Sequence, residues 1–60
     1  MKPAIVFTTD SLYGDFKKGD KGVVDGYVRG GDDTPCAVII KEDGRFVIAN
    51  LYEFKLSLPN

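Results

Sequence analysis

Apolar residues fall in short runs separated by breaks rich in glycine, aspartate and lysine. The sharpest pattern is Pro35 to Ala49, where Val38, Ile39 and Ile40 and then Phe46, Val47 and Ile48 flank Asp43-Gly44. β-branched and aromatic residues suit a pleated sheet, and Asp-Gly between two such runs is a strong hairpin signal. The turn decides which side chains share a face. A two-residue loop at Asp43-Gly44 would place Ile40 with Val47 and gain a Glu42–Arg45 pair. A three-residue loop, with Glu42 and Asp43 in a type I turn and Gly44 left-handed, places Ile40 with Phe46 and Val38 with Ile48. The bulged form is expected, because it gathers Val38, Ile40, Phe46 and Ile48 on one bulky face, which reads as the core side. Ala37, Ile39, Val47 and Ala49 then share the outer face with Lys41 and Arg45.

Elsewhere the pattern is shorter in range. Pro3 to Thr8 alternates loosely and predicts a first strand, at an edge because proline lacks a ladder donor. Thr9 to Gly19 carries turn formers with no regular period and predicts a long loop. Within it Leu12, Tyr13 and Phe16 are too apolar for free solvation, so at least one is expected to fold back on the core while the remainder line a groove. Gly19 to Gly22 predicts a turn and Val23 to Val28 a second strand, with Gly26 marking a bulge or a close backbone approach. Arg29 to Thr34 reads as a flexible loop, Asn50 to Glu53 as a single helical turn, and Phe54 to Leu58 as a last short strand.

The chain of 60 residues makes one domain, 1–60, whose core must be small. Marginal stability or support from a second chain is therefore expected. Its formal net charge of −1 argues against duplex DNA as the main partner. With one cysteine and no histidine, neither an intrachain disulfide nor a structural zinc site is expected. Cys36, in the run Cys36-Ala37-Val38, reads as a small buried hydrophobe, and a reduced cytoplasmic compartment is expected. No apolar run has the length of a signal peptide or a membrane span.

The layout of five short strands, with the long connection first, a tight hairpin between the third and fourth and a helical (3-10) turn before the fifth, resembles the SH3-like barrel superfold. The residues that carry the resemblance are Phe16, Gly19-Asp20, Gly22 and Val24, then Pro35 with Ala37-Val38, then Gly44, Phe46 and Ile48, then Leu51 to Leu56. The resemblance implies an all-β, five-stranded barrel. Related barrels include KOW-type modules, photosystem accessory subunits, small phage or mobile-element proteins and the plasmid-borne type II dihydrofolate reductases. The last are similar at Gly19-Asp20, at Gly22 to Tyr27 and at Ala37-Val38. In that family a Val-Gln-Ile-Tyr segment lines a pore formed by four subunits and holds folate and NADPH. Here Val47 stands for the glutamine and Ala49 for the tyrosine, so only Ile48 carries over and no cofactor is expected.

Catalytic residues are not expected either. Ser11, Ser57 and Cys36 have no histidine base, and the adjacent carboxylates Asp32-Asp33 and Glu42-Asp43 sit in turns. Gly14 to Asp20 has the glycine spacing of a phosphate loop, yet Asp20 stands where the lysine belongs. The leading expectation is a non-enzymatic binding module that occupies a surface of another protein or of its own copies. Its interface is expected at Ala37, Ile39, Val47 and Ala49, in a homo-oligomer. The second reading is a single-stranded nucleic-acid binder using Tyr13, Phe16, Lys17, Lys18 and Lys21, because aromatic rings among cations stack on bases and hold phosphates. The third is an oligomeric relative of the reductases.

Overall fold

The computed structural model describes residues 2–57, so the expected extension of the last strand to Leu58 lies outside the described residues. The strands are β1 (Ala4–Phe7), β2 (Lys21–Arg29), β3 (Pro35–Lys41), β4 (Phe46–Asn50) and β5 (Phe54–Leu56), with a 3-10 turn over Leu51–Glu53 between the last two. They form one antiparallel sheet in the order β4-β3-β2-β1-β5. The all-β class is as expected. Closure is not: β4 and β5 are the two edges and do not pair, so the sheet stays open rather than forming a barrel. β5 is only three residues long. Phe16, delivered by the long loop, joins the core cluster and takes part of the covering role that closure would serve.

Local chemistry explains the hairpins. Gly44 adopts φ 89°, and its N–H donates to the Lys41 carbonyl at 2.9 Å while Lys41 N–H donates to the Arg45 carbonyl at 2.8 Å. Only a residue tolerant of the left-handed region closes such a loop without strain. Ile40 pairs with Phe46 and Val38 with Ile48, the register expected of the bulged turn. The β2–β3 connection differs from the flexible loop that its composition suggests. Gly30 N–H donates to the Thr34 carbonyl at 2.8 Å, Asp33 N–H donates to the Gly30 carbonyl at 2.9 Å, and Asp33 itself sits at φ 67°. Aspartate is among the few residues other than glycine that visit this region. In β2 the register shifts between Val24 and Gly26, so Asp25 is the extra residue of a bulge, as the glycine suggested.

The faces of the hairpin are the reverse of the expectation. Ala37, Ile39 and Ala49 are fully buried and Val47 packs against them, whereas Phe46 and Ile48 remain 64% and 61% exposed. The four residues expected at an outer interface, Ala37, Ile39, Val47 and Ala49, thus belong to the inner face. The reason lies in the other half of the chain. Phe7 of β1 and Phe16 of the long loop stack with ring centroids 4.0 Å apart and an interplanar angle of 15°, and Phe54 meets Phe7 edge-on at 6.3 Å. Three rings occupy most of a small core. Opposite them the hairpin must present small side chains, and the directly paired Ala37 and Ala49 do so. Ile5 and Val24 complete the cluster.

Gly22 marks a close approach of two strands. A Cβ there would lie 2.6 Å from the Ile40 carbonyl oxygen and 2.8 Å from Cγ2 of Ile39. Both contacts are shorter than packed atoms accept.

Two stability measurements follow from this core. In denaturant titration Phe7→Ala is expected to cost about 3–5 kcal/mol, the usual loss for a buried aromatic, and Phe46→Ala less than about 1 kcal/mol. Equal losses would contradict the assigned faces. Gly22→Ala is expected to cost about 1–3 kcal/mol through overpacking. Gly26→Ala, whose Cβ would meet nothing within 4 Å, serves as the control and should be close to neutral. A tolerated alanine at position 22 would mean that β2 and β3 lie farther apart than described.

Candidate functional site

The outward face of the hairpin leaves Phe46 and Ile48 in solvent, and Ile48 joins exposed apolar side chains of the long loop and the 3-10 turn around one groove. Leu12 and Tyr13 are each 86% exposed, Tyr52 is 77% exposed, and with Ile48 they line a depression of about 220 Å3. Asp15, Asn50 and Glu53 supply its polar rim.

One wall is the turn at the tip of the long loop. Ser11 N–H donates to the Phe16 carbonyl at 2.8 Å, Gly14 N–H to the Ser11 carbonyl at 3.3 Å and Tyr13 N–H to Ser11 Oγ at 3.2 Å. Gly14, at φ 80°, reverses the chain, so Leu12 and Tyr13 point outward while Phe16 points into the core. Lys41 provides a second anchor. Its ammonium donates to the Asp15 carbonyl at 2.9 Å and lies 3.6 Å from Asp20 Oδ2, and its side chain is only 10% exposed. A lysine so nearly buried beside two oxygen partners holds the loop against the hairpin.

The opposite wall is β4 and the 3-10 turn, organised by Asn50. Its backbone N–H donates to Glu53 Oε1 at 2.8 Å, and its side-chain amide donates to the same oxygen at 3.1 Å and to the Tyr52 hydroxyl at 3.4 Å. Cys36 Sγ donates to Asn50 Oδ1 at 3.4 Å. Cys36 is therefore a buried support for Asn50, consistent with the expected role as a small core residue. The chain matches no protein-family model. Nor does any curated protein or solved structure match it significantly.

The cation–aromatic cluster expected from the sequence does not assemble. Tyr13 stands at the groove, but Phe16 is buried in the core and offers no face for stacking. Lys17 and Lys18 are exposed, and their backbone N–H groups bond the carboxylates of Asp20 at 3.0 Å and Asp10 at 2.9 Å, so acidic groups are interleaved with the two cations. Lys21 lines a separate depression with Gly22, Ile40 and Glu42. Tyr13 was legible in the sequence, and so was the division of Leu12, Tyr13 and Phe16 between core and groove, though not which residue goes where; Ile48, Asn50, Tyr52 and Glu53 were missed. The one available signal for Tyr52 was a large aromatic within a single helical turn, which is too short to bury both of its sides.

Two turn carboxylates are held below their ordinary values by their own loops. The Asp32 carboxyl lies below its ordinary value, held there by the Thr34 side chain and backbone. Asp43 is lowered by the Arg45 backbone N–H and then by the Arg45 side chain. A general acid at neutral pH needs a shift the other way. Both are turn carboxylates bonded to their own loops, Thr34 N–H to Asp32 and Arg45 N–H to Asp43.

Lys41→Met tests the loop anchor. Amide exchange over Ser11 to Asp20 should accelerate about tenfold while the β2–β3 ladder stays protected, because the tether is lost without emptying the core. Unchanged exchange at Ser11, whose N–H bonds Phe16, would show that Phe16 alone holds the loop.

Proposed function

We propose that the domain is a non-enzymatic binding module that takes a short, extended, apolar segment of another protein into the groove between Tyr13 and Tyr52. The observation that carries this reading is the exposure of Leu12, Tyr13, Ile48 and Tyr52 around one depression whose two walls are each fixed by hydrogen bonds, from Lys41 on one side and Asn50 on the other. Aromatic-lined grooves suit extended proline-containing segments, since these lose little conformational entropy on binding and tyrosine presents a large rigid face with a polar tip. The rim favours a basic flank on the ligand: Asp15 and Glu53 are its only charged members. Arginine or lysine there also gains from the faces of the two tyrosines.

The order of elements supports a relation to the SH3-like superfold as part of the same proposal. The long first connection, the tight third-to-fourth hairpin and the 3-10 turn before the last strand all stand in that order. The single-strand nucleic-acid reading is the weaker one, because only one of its two aromatics is accessible. The reductase reading is weaker still, with Ala49 buried and Val47 packed on the core at the positions where that family places its ligand-binding glutamine and tyrosine.

Selection from a displayed random-peptide library, followed by fluorescence titration of the best peptide, tests the reading. Tyr13→Ala and Tyr52→Ala should each weaken binding about tenfold or more, as truncated aromatic anchors do, and Tyr27→Ala should leave it unchanged. Enrichment of no peptide, or equal affinity in the two groove variants, would exclude the groove as the ligand site. Tight binding of single-stranded RNA with steep salt dependence would favour the nucleic-acid reading instead.

A further inference from the structure

The free edge of β4 is a second recognition surface that adjoins the groove at Ile48 but is built from backbone groups the groove does not use. In an antiparallel ladder, backbone bonds alternate between the two sides of a strand. Lys41 N–H donates to the Arg45 carbonyl at 2.8 Å, and alternation from that bond makes Ile39–Val47 and Ala37–Ala49 the bonded pairs of the β3–β4 ladder. The N–H and C=O groups of Phe46 and Ile48 therefore point away from β3. Among the described residues no loop donates a backbone hydrogen bond to them. The N–H of Asn50, on the same side, is already taken by Glu53.

Natural edge strands are guarded by charge, proline, bulges or brevity. β5 follows that rule, being three residues long with Lys55 at its centre. β4 does not. Phe46–Asn50 contains neither charge nor proline, pairs with β3 without a register shift, and exposes Phe46 and Ile48 on the outer face.

We infer that β4 pairs antiparallel with β4 of a second copy of this chain, around a two-fold axis at Val47, to give a continuous two-domain sheet. This centre is selected by the donors that remain free. With the axis at Val47, Phe46 of one copy lies opposite Ile48 of the other, and the N–H and C=O groups of these residues satisfy one another in both copies. An axis at Ile48 would need the N–H of Asn50, which is engaged. The same register sets two aromatic–β-branched pairs on the outer face, a favourable cross-strand combination. It also places Arg45 opposite Ala49, so no like charges meet within the paired segment. A neutral strand with matching donors is complementary to itself, which is what a closed two-fold contact requires. A contact of one short strand and two apolar pairs lies at or below the low end of specific interfaces, so the dimer is weak and concentration-dependent.

Sedimentation equilibrium from about 10 µM to about 1 mM, with amide exchange at both extremes, tests the pairing. The wild type should pass from monomer toward dimer. At high concentration the amides of Phe46 and Ile48 should exchange about tenfold more slowly, while Val47 and Ala49, already bonded to β3, should not change. Phe46→Lys should stay monomeric while still binding any peptide that the groove selects, and Tyr27→Lys should dimerise like wild type. The amide readout on the wild type stands even if Phe46→Lys fails to fold. A wild type that is monomeric at about 1 mM, a Phe46→Lys that dimerises as tightly as wild type, or concentration-dependent protection outside this edge would overturn the inference. So would protection of Phe46 and Ile48 by an added peptide in a protein that remains monomeric, which would give the edge to a foreign strand.

Discussion

The stack of Phe7 on Phe16 is the contact on which the rest depends. It joins the first strand to a long connection that has no ladder of its own over most of its length, and it does so inside the core with ring centroids 4.0 Å apart. Phe16 is the apolar anchor of the loop, and Lys41 supplies the polar one. Once the two rings and Phe54 fill the space over the sheet, the hairpin turns inward the face that carries Ala37, Ile39, Val47 and Ala49, the less bulky of its two. Val38, Ile40, Phe46 and Ile48 are forced to the other face, where Phe46 and Ile48 stand largely in solvent. The exposed apolar surface of this domain thus follows from how its core is filled, rather than from any shortage of polar residues.

Much of the architecture could be read from local chemistry. Asp43-Gly44 marked the hairpin but allowed either loop length; the three-residue register was expected for the bulky face it gathers, and the register holds although that face is the exposed one. Gly26 marked the bulge, and the apolar content of the long loop showed that at least one of Leu12, Tyr13 and Phe16 would fold back on the core, without showing which. The face of the hairpin was not legible in the same way. Both faces are apolar, so alternation could not choose between them, and bulk favoured the wrong one. The information lay far along the chain in Phe7, Phe16 and Phe54. One signal was present: Ala37 and Ala49 lie directly opposite each other, and alanine is a poor strand residue unless a larger group covers it. The groove was only partly legible for a related reason. Its polar organiser, Asn50, takes its meaning from Cys36 and Glu53, and nothing in the spacing of those residues advertises a network. The Asp33 turn was hidden by composition, since Gly30-Gly31-Asp32-Asp33 reads as flexible although its backbone closes a tight loop.

The two polar anchors matter for how such a small domain recognises anything. Binding that must first order a loop loses affinity to that ordering. Here the loop is fixed by Phe16 below and by Lys41 from the side, and the facing turn is fixed by Asn50, so Tyr13 and Tyr52 are held on walls that are already in place. Neither anchor needs to touch a ligand. The lysine that the sequence placed on the outer face is nearly buried, and its charge is met by the Asp15 carbonyl and the Asp20 carboxylate. A largely covered cation with two oxygen partners favours the one loop position that supplies both of them.

An open sheet has two edges to protect, and this chain treats them unequally. At β5 the ladder is short, a charge sits at its centre, and the strand is tied to β1 through Ser57 N–H to the Ala4 carbonyl and through Thr8 N–H to the Glu53 carbonyl. At β4 the apolar alternation runs to the edge without interruption. Closing the barrel would have removed both edges, but β4 and β5 are separated by a 3-10 turn whose Asn50–Glu53 bonds use the last outward donor of β4. The turn that builds one wall of the groove therefore also limits how far the β4 edge can be extended. It leaves the outward groups of Phe46 and Ile48 as the segment available to an added strand. A short, neutral, self-matching edge beside an aromatic groove gives the domain two ways to engage a chain, one through side chains and one through backbone. Ile48 is common to the two, its side chain on the groove and its backbone on the edge.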